Sequence, residues 1–160
     1  MSEPVRVLDT SSLVRIKVLV RIDRQWDLFQ RLQLMVEGGE IAMPRQVIKE
    51  IGEVAHPDAP GVWARGMQDK LKHPLDVQIE HIRRVMREAP NLVEANLQKD
   101  PADPYVLALA LELKEGGKDV EVVTDDLVDH LPIKIALGTA CDRLEVAHIS
   151  GQAFVTAIGY

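Results

Sequence analysis

Short apolar runs alternate with longer stretches of helical periodicity along this chain, a pattern that predicts strands separated by helices. Val5-Arg6-Val7-Leu8 reads as a first strand, rich in β-branched residues, and it stops at Asp9. Ser11 or Ser12 is then suited to cap a helix carrying Leu13, Val14, Ile16, Val18, Leu19, Val20 and Ile22, whose apolar positions are almost too dense for one face. A second helical pattern, Trp26, Leu28, Phe29, Leu32, Met35 and Val36, ends at Gly38-Gly39, a left-handed stop. Glu40-Ile41-Ala42-Met43 is a second strand, and Pro44 opens a helix over 45–51 with Val47, Ile48 and Ile51 facing inward.

His56-Pro57-Asp58-Ala59-Pro60-Gly61 marks a loop ahead of two helical stretches, 62–71 and 77–88, punctuated by His73-Pro74 and Ala89-Pro90. Asp103 in the cap position and Pro104 in the first turn start an almost wholly apolar helix that stops near Gly116-Gly117. Val120-Glu121-Val122-Val123-Thr124 is the best central strand. It is followed by Asp125-Asp126, with Asp129 one turn later, then by a helical stretch over 133–142, a strand over 144–149 and a closing helix from Ser150. The alternation makes the chain a single α/β domain over 1–160, with a central parallel sheet of four to five strands and helices on both faces.

Composition narrows this reading. With 160 residues and 46% hydrophobic content the chain supports one sizeable core, and no apolar run reaches the roughly 18 residues of a membrane span. Met1-Ser2-Glu3-Pro4 lacks the basic and apolar regions of a signal peptide, so a cytoplasmic protein is expected. The single cysteine, Cys141, excludes an internal disulfide and a cysteine-based zinc site, and reads as a small buried hydrophobe. His56, His73, His81, His130 and His148 are scattered without metal-ligand spacing and read as structural. A formal charge of −6 argues against holding nucleic acid by global electrostatics, although an acidic cleft loaded with cations reverses its local sign. The locally basic stretch His81-Ile82-Arg83-Arg84-Val85-Met86-Arg87 reads as a solvated helix face before it reads as a phosphate contact.

Candidate chemistry lies in the acids. Asp9, Glu50, Asp100 or Asp103, and Asp125, Asp126 or Asp129 stand at strand ends or on helices bordering them. In an open α/β sheet the carboxyl ends of the strands are where ligands bind. Crowded carboxylates repel one another unless cations fill the space between them, and oxygen-only ligands select Mg²⁺ or Mn²⁺ over zinc. Two such ions suit in-line hydrolysis of a phosphodiester.

Leu8-Asp9-Thr10-Ser11, Met43-Pro44 through Glu50-Ile51, Ala102-Asp103-Pro104 with Ala108 and Ala110, and Val123-Thr124-Asp125-Asp126 with Asp129 form an ordered set that resembles the PIN domain family. The likeness covers nearly the whole chain and extends to bacterial PIN-like proteins related to VapC-type toxin ribonucleases. It implies a three-layer α/β/α fold, often a homodimer, and Mg²⁺- or Mn²⁺-dependent cleavage of RNA. By position it implies catalytic and metal-binding roles for Asp9, Glu50, Asp103 and Asp126, an additional metal ligand in Asp129, and hydroxyl support from Ser11 and Thr124. Asp125 falls where the pattern is loose, and Asp100 is left to capping or to the rim. An antitoxin protein is the partner such a toxin would have.

Rival readings are a catalytically silent PIN-like module that binds RNA or protein, an aspartyl-phosphate phosphatase and a receiver-like phosphorylation module. The phosphatase requires a second Asp two residues after Asp9, where this chain has Ser11. The receiver requires an acid pair beside Asp9 and a lysine closing a late strand, and the chain has neither.

Overall fold

In the computed structural model, which describes residues 2–53 and 58–160, four parallel strands form one sheet in the order β2-β1-β3-β4. β1 is Val5–Leu8, β2 Ile41–Ala42, β3 Val120–Val123 and β4 Ala147–Ile149. All four residues of β1 are buried, as a strand covered on both faces requires. β1 pairs with β2 on one side and with β3 on the other, so the chain leaves its first strand in one direction and returns in the opposite one. That reversal is a topological switch point, and it opens a crevice beyond the carboxyl ends of β1 and β3.

Eight α-helices among the described residues complete the layers: α1 Thr10–Leu19, α2 Ile22–Glu37, α3 Arg45–Gly52, α4 Ala59–Met67, α5 Ile79–Glu88, α6 Asp103–Glu115, α7 Leu137–Arg143 and α8 Gly151–Ala157. α1 packs against α3, α4 and α8, while α6 lies on β1 and β3 and packs against α5 and α7. The architecture is the expected three-layer α/β/α, with four strands. No described helix is long and apolar enough to cross a membrane.

Local boundaries differ from the sequence reading for identifiable reasons. The cap of α1 is Asp9 itself, not Ser11 or Ser12: its Oδ1 accepts the Ser12 N–H at 2.8 Å. The dense apolar run breaks at Val20, where the Gln25 amide donates to the Lys17 and Val20 carbonyls, both at 3.0 Å, and α2 begins at Ile22 instead of near Trp26. The break leaves Val18, Ile22 and Trp26 respectively 73%, 86% and 76% exposed, while Leu13, Ile16 and Val20 enter the core. Gly39, at φ +76°, is the left-handed residue after α2, as the glycine pair predicts. Pro44 is the cap of α3 and not its first residue, and α4 stops at Met67, short of the expected 71. The stretch expected to be helical from 133 turns back on itself first, and α7 starts only at Leu137. Part of the 56–61 loop, with His56, lies outside the described residues. His73 bonds the Gly39 carbonyl, buried His81 faces Glu115 and His148 pairs with Asp142, so these three are structural.

Candidate active site at the switch point

The register Leu8↔Val123 puts the residues that follow β1 and β3 side by side. Asp9 is 1% exposed, and its backbone N–H donates to the Val123 carbonyl at 3.2 Å. Its Oδ2 accepts the Ser11 hydroxyl at 2.7 Å and also the Thr124 hydroxyl. Each hydroxyl donates to Asp9 and accepts a backbone N–H from the loop after β3: Asp125 N–H donates to Ser11 Oγ and Asp126 N–H to Thr124 Oγ1, both at 3.0 Å. Ser11 and Thr124 therefore each join Asp9 to the loop after β3. They orient the first acid and fix the loop that carries the fourth. Burial raises the Asp9 carboxyl above the usual carboxylate range, against the lowering effect of its bonds to Thr124, Ser12 and Ser11.

Asp103 departs from the sequence reading in a useful way. It is the first residue of α6, not its cap, and Ala102 in the cap position makes no side-chain bond. Glu50, from α3, supplies the missing acceptor: its Oε2 takes the Ala102 N–H at 3.1 Å. This bond ties the α3 acid to the chain segment that carries Asp103. Burial is the largest influence on Asp103 and lifts its pKa to about 6; Lys134 opposes the rise, and the charges of Asp9 and Asp126 add to it. Asp103 therefore lies within reach of the charges of Asp9 and Asp126, the acids that follow β1 and β3.

Lys134 is the residue the sequence reading missed. Its Nζ lies 3.2 Å from Asp103 Oδ2 and 3.4 Å from Asp126 Oδ2. Burial lowers the Lys134 pKa, but the two carboxylates more than offset this and leave it raised. Asp126 Oδ2 also accepts the Leu137 N–H at 3.0 Å, which ties the acid to the start of α7. A lysine eight positions after the fourth acid was the only signal available, and its meaning depends on how the intervening chain folds back.

The remaining acids are not drawn into the cluster in the same way. Asp129 directs Oδ1 to the Ala136 N–H at 2.8 Å and the Thr139 hydroxyl at 2.7 Å, which holds its pKa below the ordinary value and makes it a support for α7. Asp125 accepts the Gly151 N–H at 3.2 Å through Oδ1, while its buried Oδ2 has only Arg15 nearby, at 4.0 Å. Asp100 accepts the Tyr105 hydroxyl at 2.7 Å, and that bond, with burial, pushes the tyrosine up to about 12. Beside Glu50 a cleft of about 620 Å³ is bordered by Arg45, Gln46, Lys49, Gln98, Lys99 and Asp100. Cys141 is fully buried, as expected, and burial pushes its thiol up to about 12.

The donor set suits a hard cation. It is oxygen only, it carries mutual repulsion that a positive charge relieves, and a positive charge, the Lys134 ammonium, is already held between two of its members. With the side chains as they stand, no three acidic, histidine or cysteine residues among those described are close enough together to enclose an ion.

A family model described as a domain of unknown function, DUF4411, matches residues 7–159. No curated protein matches the chain.

Proposed function

The chain belongs to that family, and we propose that it is a PIN-like, divalent-metal-dependent ribonuclease whose acids are Asp9, Glu50, Asp103 and Asp126. The observation that supports this reading is that the Lys134 ammonium lies between Asp103 and Asp126, that Asp103 is raised first by burial and then by the charges of Asp9 and Asp126, and that Glu50 is tied through the Ala102 N–H to the segment carrying Asp103. Asp9, Glu50, Asp103 and Asp126 would hold Mg²⁺ or Mn²⁺, while Asp129, committed to the start of α7, supports them from outside. A bound ion of this kind supplies Lewis acidity for phosphodiester hydrolysis.

The chain's own residues do the rest. Ser11 and Thr124 fix the Asp9 carboxylate in place by donating to Oδ2, and their bonds favour its charged form against the burial that raises its pKa. The cleft lined by Glu50 carries Arg45, Lys49 and Lys99 alongside Glu53 and Asp100, and an RNA strand lying in it would set its phosphates against the two lysines. RNA as substrate follows from the PIN resemblance, as does an antitoxin partner. The exposed trio Val18, Ile22 and Trp26 supports a homodimer or partner surface on the α1–α2 side, and light scattering at micromolar concentration tests the dimer.

One observation favours a second reading, a silent RNA- or protein-binding module: Lys134 neutralises part of the acid cluster. Purified protein incubated with single-stranded RNA separates the two. Cleavage that needs Mn²⁺ or Mg²⁺, stops with chelator and is lost in Asp9→Asn supports the nuclease; equal cleavage by wild type and Asp9→Asn refutes the assignment of this site. Calorimetric titration with Mn²⁺ that shows no binding favours the silent module.

A further inference from the structure

Lys134 has a flexible side chain on a rigid base. Its backbone N–H donates to the His130 carbonyl at 3.0 Å, and the His130 N–H donates back to the Lys134 carbonyl at 2.8 Å. The next residue, Ile135, donates to the Asn91 carbonyl at 2.9 Å. The Lys134 Cα is therefore pinned, while the side chain remains 31% exposed to solvent. Of the two carboxylates it bridges, Asp126 keeps the Leu137 N–H on Oδ2 when the ammonium leaves. Among the described residues Asp103 has no other side-chain bond, and it is 19% exposed, so departure of the ammonium would leave a largely buried charge unpaired.

We propose that Lys134 is a built-in competitor for the metal: its ammonium occupies the place between Asp103 and Asp126 in the metal-free protein and has to swing out before a divalent cation can use both acids. The inference rests on the metal-site reading above. A tethered monovalent cation is present at high effective concentration and never diffuses away, so it weakens the apparent affinity for any ion that needs the same oxygens. A divalent ion wins by its larger charge and its ability to gather Asp9 and Glu50 as well, which a single ammonium between two carboxylates does not do. Lys134 is thus a residue that sets the threshold of metal loading, acting through Asp103 and Asp126.

Calorimetric titration of the full chain with Mn²⁺, without RNA, tests this. Lys134→Met should bind Mn²⁺ at least about ten-fold more tightly than wild type, and its melting temperature, lower than wild type in metal-free buffer, should rise by the larger increment when Mn²⁺ is added. Lys134→Arg, which keeps the charge, should bind no more tightly than wild type. If Lys134→Met fails to fold, Lys134→Gln keeps a neutral donor to the same carboxylates and carries the same expectation. Mn²⁺ binding that is equal or weaker in the neutral variant, with wild type still binding, overturns the competitor role and leaves the metal site standing. Absence of binding in wild type and variants alike overturns the metal site, and this role with it.

Discussion

Glu50 caps a helix that begins 53 positions further along the chain: its Oε2 accepts the N–H of Ala102, 52 residues away, immediately ahead of Asp103. The bond joins α3 to the start of α6 and ties the second acid to the segment that carries the third. Replacing Glu50 by Ala should cost about 0.5–2 kcal/mol, the ordinary worth of an N-terminal helix cap. Glu50→Gln retains a carbonyl oxygen for Ala102 and should stay within about 0.5 kcal/mol of wild type. Urea unfolding of both variants measures the difference, and equal losses would show that the carboxylate's charge, not the acceptor, matters to the fold.

Asp103 makes the metal-free protein sensitive to pH. Its carboxyl is lifted from 3.8 to about 6 in the folded state, so between those values the native protein binds more protons than the unfolded chain does. This contribution is present in acid and is lost as pH rises from about 4 to about 6. Its full size is on the order of 2–3 kcal/mol. Asp103→Asn removes the titration, so the variant should gain stability relative to wild type over that interval. Denaturant unfolding of both proteins in chelator at several pH values reads the difference directly. A constant gap would assign the pH dependence to other groups.

Asp9 combines a cap with a buried charge, and its two conservative replacements separate these. Asp9→Asn keeps an oxygen for the Ser12 N–H, but its amide meets Ser11 and Thr124 hydroxyls that were donating to a carboxylate. Asp9→Ala loses both. The alanine variant should be less stable than the asparagine variant by about 1 kcal/mol in thermal unfolding, the worth of the retained cap. Neither should cleave RNA.

Gly151, the first residue of α8, has no room for a side chain: a Cβ there would stand 2.6 Å from Asp125 Oδ2 and 3.2 Å from Leu19 Cδ1. Alanine would force the carboxylate away from the Gly151 N–H and from Arg15. The overpacking should cost about 1–3 kcal/mol. Removing the obstacle with Asp125→Ala should recover part of that loss, so a double-mutant cycle over the two positions should show coupling. Independent, additive effects would place the strain elsewhere.

The elements of this fold were largely legible because each strand is a short apolar run and each helix has its own period, as Val5–Leu8 and Val120–Val123 show. That the segments after β1 and β3 lie side by side, with Thr124 bonded to both Asp9 and the Asp126 N–H, follows for the same reason, since parallel strands place their ends together. What could not be read is who bonds to whom across the crevice. Asp103 has the spacing of a cap, yet Glu50 supplies the acceptor, and no periodicity relates α3 to Ala102. Asp129 looks like one more acid near the site, but the folding back of 130–136 presents the Ala136 N–H to it. Lys134 belongs to that same turn, held by backbone bonds to His130 that carry no side-chain signature. The early end of α1 was hidden because Val18, Leu19, Val20 and Ile22 continue an apolar pattern through a break that the Gln25 side chain stabilises.

Asp9 and Thr124 are separated by 115 positions, a distance with a meaning for the growing chain. Synthesis delivers β1 and its neighbour β2 early, yet β3, the strand on the other side of β1, is not complete until Val123 has been made. Through that interval Asp9 has only local partners, Ser11 and Ser12, and the other acids have nothing to gather around. The cluster is therefore absent from every nascent chain shorter than its fourth segment. Whatever the acids do, they begin to do it late, after sheet closure, and a prematurely terminated product ending before Thr124 would carry the first three acids without the site.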